Sequence, residues 1–252
     1  MNIEWRDLFI KQWKKYFGNV ELPVAFYFSD EENDTAIVPA KKEWSCFICD
    51  LARVRKGDNL SFNKASLGCG GAKRYLGYSD KMRPNFEYFL SCGIPGELEG
   101  ERYKRTPEMV NELMKNHQTI PANNRNIVFK RWDKLTEKDQ PEVVIFFAKP
   151  DVLSGLFTLA NFDQIDPNGG AMTPFAAGCG SIVHYPYQEM NQKNPRAIIG
   201  MFDTSARPCV SENTLTFALP MCKFEKMISS MDESFLITET WETIRKRINR
   251  SL

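Results

Sequence analysis

Apolar residues near the start of the chain recur every three or four positions: Trp5, Leu8, Phe9, Trp13, Tyr16 and Phe17. That spacing predicts an amphipathic helix over 3–17, packed on the core and ended by Gly18. Pro23–Ser29 (PVAFYFS) is a compact apolar run of strand length. An acidic turn, Asp30–Asp34, leads to a short apolar piece at 36–38. Trp44, Phe47, Ile48, Leu51 and Val54 form one face of a helix over 44–56. Gly57 stops it, and Arg53, Arg55 and Lys56 complement the negative end of its dipole. Leu60–Phe62 reads as a strand, 84–92 fits a helix or a strand equally, and 93–100 reads as a loop. Thr106 and Pro107 open a helix that runs to about Asn116, followed by a polar connector over 120–126.

A similar order then returns. Strands are predicted at Ile127–Phe129 and Val143–Ala148, a helix at Val152–Asn161, and a loop around Pro167, Gly169 and Gly170. Two more apolar runs, 196–202 and 214–219, read as strands, and 221–230 as a helix. The last helix, 238–249, carries Trp241, Ile244 and Ile248 on one face, acidic residues in its first turns and basic ones at its end. The predicted fold is α+β: two related strand-helix-strand halves, 1–120 and 121–252, around mixed sheets. The repeated order suggests an old internal duplication. No Pro- or Ser-rich linker separates the halves, so they should share one core.

Composition narrows the function classes. The 252 residues are 42% hydrophobic with a net charge of +1, which gives no global case for a nucleic-acid partner. No run approaches the roughly 20 apolar residues of a membrane span, and the first residues lack a secretory pattern, so a cytoplasmic protein is expected. Seven cysteines is an odd number, which favours reduced or metal-bound thiols over a disulfide scaffold. The two histidines, His117 and His184, are too few for a His-rich zinc site.

The candidate chemistry lies in two glycine-boxed cysteines, Gly68-Cys69-Gly70-Gly71 and Gly178-Cys179-Gly180-Ser181. Glycine permits positive φ and close approach of backbone N–H groups to a ligand. A cysteine where a helix begins sits in a positive field that favours thiolate. The leading reading is a binding module for a small anionic ligand or cofactor, held by these turns and by Arg207 in a cleft between the halves. Tyr75, Tyr78, Phe175 and Tyr185 are candidates for its lining. The alternative is a zinc or iron–sulfur site. Cys46 and Cys69 would be ligands; Cys49, at i+3 from Cys46, could join them, and Cys92 or Cys179 could complete the set. A third reading is thiol catalysis at Cys69 or Cys179, with His184 only five positions after Cys179. Cys92, Cys209 and Cys222 read as small core residues.

A family resemblance rests on several of these motifs in order. Pro23-Val24-Ala25, Cys46 before Arg53 and Gly57, Cys69-Gly70-Gly71 with Leu76-Gly77, and Glu142–Phe146 with Pro150-Asp151 come first. Gly178-Cys179, Ala206-Arg207 and Phe217–Pro220 follow. Over roughly residues 5–248 the chain resembles the domain-of-unknown-function 169 family, found mainly in anaerobic bacteria and methanogenic archaea. The resemblance implies no agreed activity. It places Cys46, Cys69, Cys179 and Arg207 on the family pattern, which Cys49, Cys92 and Cys222 do not clearly match.

Overall fold

A computed structural model describes residues 1–31, 35–115, 117–123 and 125–250. Three residues of the acidic turn expected at Asp30–Asp34, and Asn116 at the expected helix end, lie outside the described residues. The strands are β1 (Val24–Ser29), β2 (Ala36–Ile37), β3 (Leu60–Phe62), β4 (Asn126–Arg131), β5 (Val143–Ala148), β6 (Ala171–Met172), β7 (Ala197–Gly200) and β8 (Leu215–Pro220). The helices are α1 (Ile3–Phe17), α2 (Phe47–Arg55), α3 (Gly70–Tyr75), α4 (Phe86–Phe89), α5 (Pro107–Lys115), α6 (Pro150–Ala160), α7 (Tyr185–Glu189), α8 (Met221–Ser229) and α9 (Glu239–Arg250). The α+β class is as the periodicity predicts.

Among the described residues the strands form one eight-stranded mixed sheet, ordered β2-β3-β4-β1-β5-β8-β7-β6. Its two halves have the same topology. In the first, β2 runs parallel to β3, and β4 is antiparallel to both β3 and β1. In the second, β6 runs parallel to β7, and β8 is antiparallel to both β7 and β5. The antiparallel pair β1–β5, with Val24 opposite Ile145, joins the halves at the centre. The topology therefore repeats after β4, and α2 and the segment ending in α7 occupy equivalent crossovers between parallel strands.

Both faces of the sheet are covered. Side chains alternate across a strand, so Val143, Ile145 and Phe147 of β5 pack on one face and Val144, Phe146 and Ala148 on the other. The second face holds α1, α6, α8 and α9, with Trp13 stacked on Phe17 at 4.2 Å between ring centroids. The first face holds α2, α3 and the approach to α7, and Cys46, Cys69 and Cys179 lie there. Each Phe or Leu buried this way contributes about 1.5–3 kcal/mol.

Between β4 and β5 a buried ion pair ties the chain to the sheet. Lys130 Nζ donates to both oxygens of Asp139 at 2.9 and 3.1 Å, and the Tyr27 hydroxyl donates to the same carboxylate. Burial pushes the Asp139 carboxyl up, but the bonds from Tyr27, Lys130 and the Thr136 N–H outweigh it and hold it below the usual range.

Several elements differ from expectation. The helix expected over 44–56 begins only at Phe47, because Cys46 is extended (φ −79°, ψ 122°), and Trp44 stands 68% exposed. Residues 84–92 hold the short α4, and β6 pairs within what reads as a loop.

Candidate functional site

Cys69 caps α3, and Cys179 stands at the head of a π-helical turn, Gly180–His184, that continues into α7. The wide turn has a local cause. Pro186 has no N–H to return to the preceding turn, and the Tyr185 N–H reaches back five residues to the Gly180 carbonyl. Such single π turns concentrate at functional sites.

None of the five glycines of the two boxes has a left-handed φ, and Gly68, Gly178 and Gly180 serve close packing instead. A Cβ on Gly178 would stand 2.8 Å from the Ala206 Cβ, and one on Gly180 would stand 2.9 Å from the Tyr75 ring. A Cβ on Gly68 would come within 2.5 Å of the Glu43 carbonyl oxygen and one on Gly71 within 3.6 Å of the Cys69 sulfur, whereas one on Gly70 would meet open space.

The thiols run against the sequence expectation. Cys179 is buried, and burial pushes its thiol well above the ordinary range, with Cys69, Cys46 and Asp203 near enough to push further. Burial raises Cys46 in the same way. Thiolate activation by a helix start is therefore absent at Cys179, because desolvation outweighs the backbone dipoles. The expectation of reduced thiols also fails at one pair: Cys49 is bonded to Cys209, joining α2 to the turn after β7 with 4.7 Å between Cα atoms. Cys92 and Cys222 are exposed, not core residues. Among the described residues no three His, Cys, Asp or Glu side chains are placed to hold a metal ion.

Arg207 and the second glycine box have local partners. The guanidinium donates to the carbonyls of Glu212 at 2.5 Å and Ser211 and Met201 at 3.4 Å, and to that of Thr214. It clamps the loop before β8. The Gly178 N–H donates to the Asp203 carboxylate at 3.1 Å, which puts a negative charge where an anion would have to sit.

The cavity lies beside the boxes. About 550 Å³ in volume, it opens between α3, α5, the π turn and α7. The chain's two histidines meet in its wall, with ring centroids 4.5 Å apart. Tyr75 stands edge-on to both rings, at 5.1 and 5.5 Å, and Tyr185 edge-on to His184 at 5.0 Å. Leu113, Met114 and Met172 supply an apolar side, and Glu189 with Arg196 forms a rim ion pair at 3.0 Å.

His184 is 1% exposed, yet neither of its ring nitrogens has a hydrogen-bond partner. His117 Nε2 and Arg74 Nε are likewise buried and unpartnered. Burial drives the His184 imidazole down to about 3, assisted by His117 and by the Arg74 charge. Burial and Arg74 also lower His117. Both rings are therefore neutral at pH 7, each with one N–H and one lone pair.

Of the sequence candidates, the structure gathers Cys46, Cys69 and Cys179 on one face and puts Tyr75 and Tyr185 at the cavity. Tyr78 instead donates to the carbonyls of Phe62 and Arg125, and Phe175 is exposed. His117 and Arg74 carried no sequence signal. They lie 67 and 110 residues before His184 and join it only through the fold.

Fold and site together define an α+β protein whose repeated sheet topology brings cysteine turns and a histidine-lined cavity to one face. The chain matches the DUF169 family, described as uncharacterised ArCR, over residues 14–230, and it belongs to that family. No curated protein and no solved structure matches it. Among the described residues no helix is long and apolar enough to cross a membrane.

Proposed function

We propose that the chain binds a small anionic ligand with an aromatic or apolar body in the cavity beside the second glycine box. The observation that carries this reading is His184: a fully buried imidazole, both nitrogens unpartnered, in the wall of an open cavity. An unpartnered buried polar group costs about 1–3 kcal/mol, a cost that a ligand supplying the missing partners would relieve. The nearby charge favours an anion. Arg74 has a buried, unpartnered Nε–H, while the cavity's Glu189 is already bonded to Arg196. The ring edges of Tyr75 and Tyr185 suit a planar body, and the volume lies within the usual range of about 300–1,000 Å³ for ligand pockets. The glycine boxes then act as construction: Gly180 lets Tyr75 approach the π turn closely enough to form the wall.

Calorimetry with benzoate and phenyl phosphate tests this. Wild type should bind at least one of the two. Arg74→Gln and His184→Phe should each weaken that binding by about 10- to 100-fold, the worth of one charge-assisted hydrogen bond. Binding unchanged in both folded variants, or no binding of either probe, would overturn the reading.

A further inference from the structure

Five of the seven cysteines come to one face of the sheet from four segments of chain: Cys46 and Cys49 at the head of α2, Cys69 before α3, Cys179 before the π turn, and Cys209 after β7. The sheet topology relates these segments in pairs. The crossover from β2 to β3 carries Cys46 and Cys49, and the equivalent crossover from β6 to β7 carries Cys179. The link from β3 to β4 carries Cys69, and the equivalent link from β7 to β8 carries Cys209. Cys49 is bonded to Cys209, crossover to link across the halves. Cys179 and Cys69 are the matching crossover and link in the opposite sense, and they remain free thiols.

The two pairs are neighbours. A Cβ on Gly178 would lie 3.6 Å from the side chain of Ile48, the neighbour of Cys49, and 2.8 Å from the Cβ of Ala206, three residues before Cys209. Cys46 N-caps the helix that holds Cys49, and the Cys49 N–H donates to the Cys46 carbonyl at 3.1 Å. Asp203 adds a carboxylate beside Gly178, which suits a cation. Soft thiolates gathered in this number select zinc or iron–sulfur centres over hard ions.

We propose that Cys49, Cys69, Cys179 and Cys209, with Cys46 beside them, are a thiolate site for a thiophilic metal centre, which the Cys49–Cys209 disulfide closes and a dithiol reductant opens. The dithiol gives two electrons and two protons to the S–S bond, yielding two thiols and its own cyclic disulfide. The metal then displaces the thiol protons into solvent. This inference does not depend on the histidine cavity.

The test uses the whole protein, reduced with dithiothreitol and desalted without oxygen, titrated with Co²⁺ alone. Expected are a sulfur-to-cobalt charge-transfer band and tetrahedral ligand-field bands that saturate at one equivalent and vanish on adding Zn²⁺. The oxidised protein should show none. Cys179→Ser or the more accessible Cys69→Ser should abolish the band, and the Cys92→Ser/Cys222→Ser double variant should keep it. Iron and acid-labile sulfide in protein isolated without oxygen would support the proposal and identify the centre as a cluster. Absence of the band from reduced protein with native circular dichroism would overturn the proposal. So would a band that survives loss of both Cys69 and Cys179, or one lost with Cys92 and Cys222.

Discussion

Replacing His184 with phenylalanine should make the ligand-free protein more stable, and more so as the pH falls. His184 is 1% exposed with both ring nitrogens unpartnered, and its imidazole is held down to about 3 against an ordinary value of 6.5. Phenylalanine keeps the ring and its edge contacts with Tyr75 and Tyr185, and removes the orphaned polar atoms. The adjoining cavity has room for the slightly larger ring. At pH 7.5 the gain should be about 1–2 kcal/mol, the lower part of the range for an unsatisfied buried group. A folded value below the unfolded one means that the unfolded chain takes up a proton first, so stability falls as pH drops below 6.5. Between pH 7 and 5 that loss integrates to about 2 kcal/mol in wild type, from 1.36 kcal/mol per unit. It should be absent in the variant. His117, Arg74, Tyr75 and Tyr185, which surround the ring, are retained in both proteins, and their own titration cancels in the difference. Urea unfolding at pH 7.5, 7, 6 and 5, compared at equal m, measures it. Equal pH slopes in the two proteins, or a variant less stable at pH 7.5, would refute the reasoning, since most core substitutions destabilise.

Gly180→Val should push its side chain into the Tyr75 ring, costing about 1–3 kcal/mol in urea unfolding and abolishing phenyl phosphate binding in calorimetry, because the ring must swing into the cavity. Lys130→Met should cost about 3–5 kcal/mol at pH 7 by leaving Asp139 buried without its cation. That loss should shrink toward pH 5 as the carboxyl, now raised above its unfolded value, takes up a proton; an unchanged loss would contradict the pairing. Arg207→Ala should lower the denaturation midpoint while leaving phenyl phosphate affinity unchanged, because its guanidinium donates to four loop carbonyls.

The periodic elements were legible in the sequence because local forces specify them. α1, with Trp13 and Phe17 on its buried face and Gly18 at its end, follows from spacing alone, as do β5 and α9. The start of α2 was not legible. Trp44 continues the apolar spacing, but Cys46 is extended, and only tertiary packing decides that the helix begins at Phe47. The repeated order of strand and helix hinted at the two halves, but the likeness of the two glycine boxes does not show which cysteines correspond. Strand pairing makes Cys179 the counterpart of the Cys46–Cys49 segment and Cys69 that of Cys209, because Cys69 follows the third strand of its half and Cys179 precedes it. The Cys49–Cys209 bond spans 160 residues, a pairing that spacing cannot supply. The cavity was invisible for the same reason: His117 and His184 form no motif along the chain and meet in its wall only once the fold is assembled, with the Arg74 charge near both rings.

The central claim is that the two neutral imidazoles, His184 buried and His117 half-buried, await an anionic partner. Nitrogen-15 NMR of histidine-labelled protein, without and with saturating phenyl phosphate, tests it at the atoms concerned. The ligand-free spectrum should show two neutral rings at pH 7, and the ligand should move the nitrogens of both His184 and His117 toward hydrogen-bonded or protonated positions. Imidazole signals that stay unmoved at saturation, or a His184 already charged at pH 6 without ligand, would contradict the account.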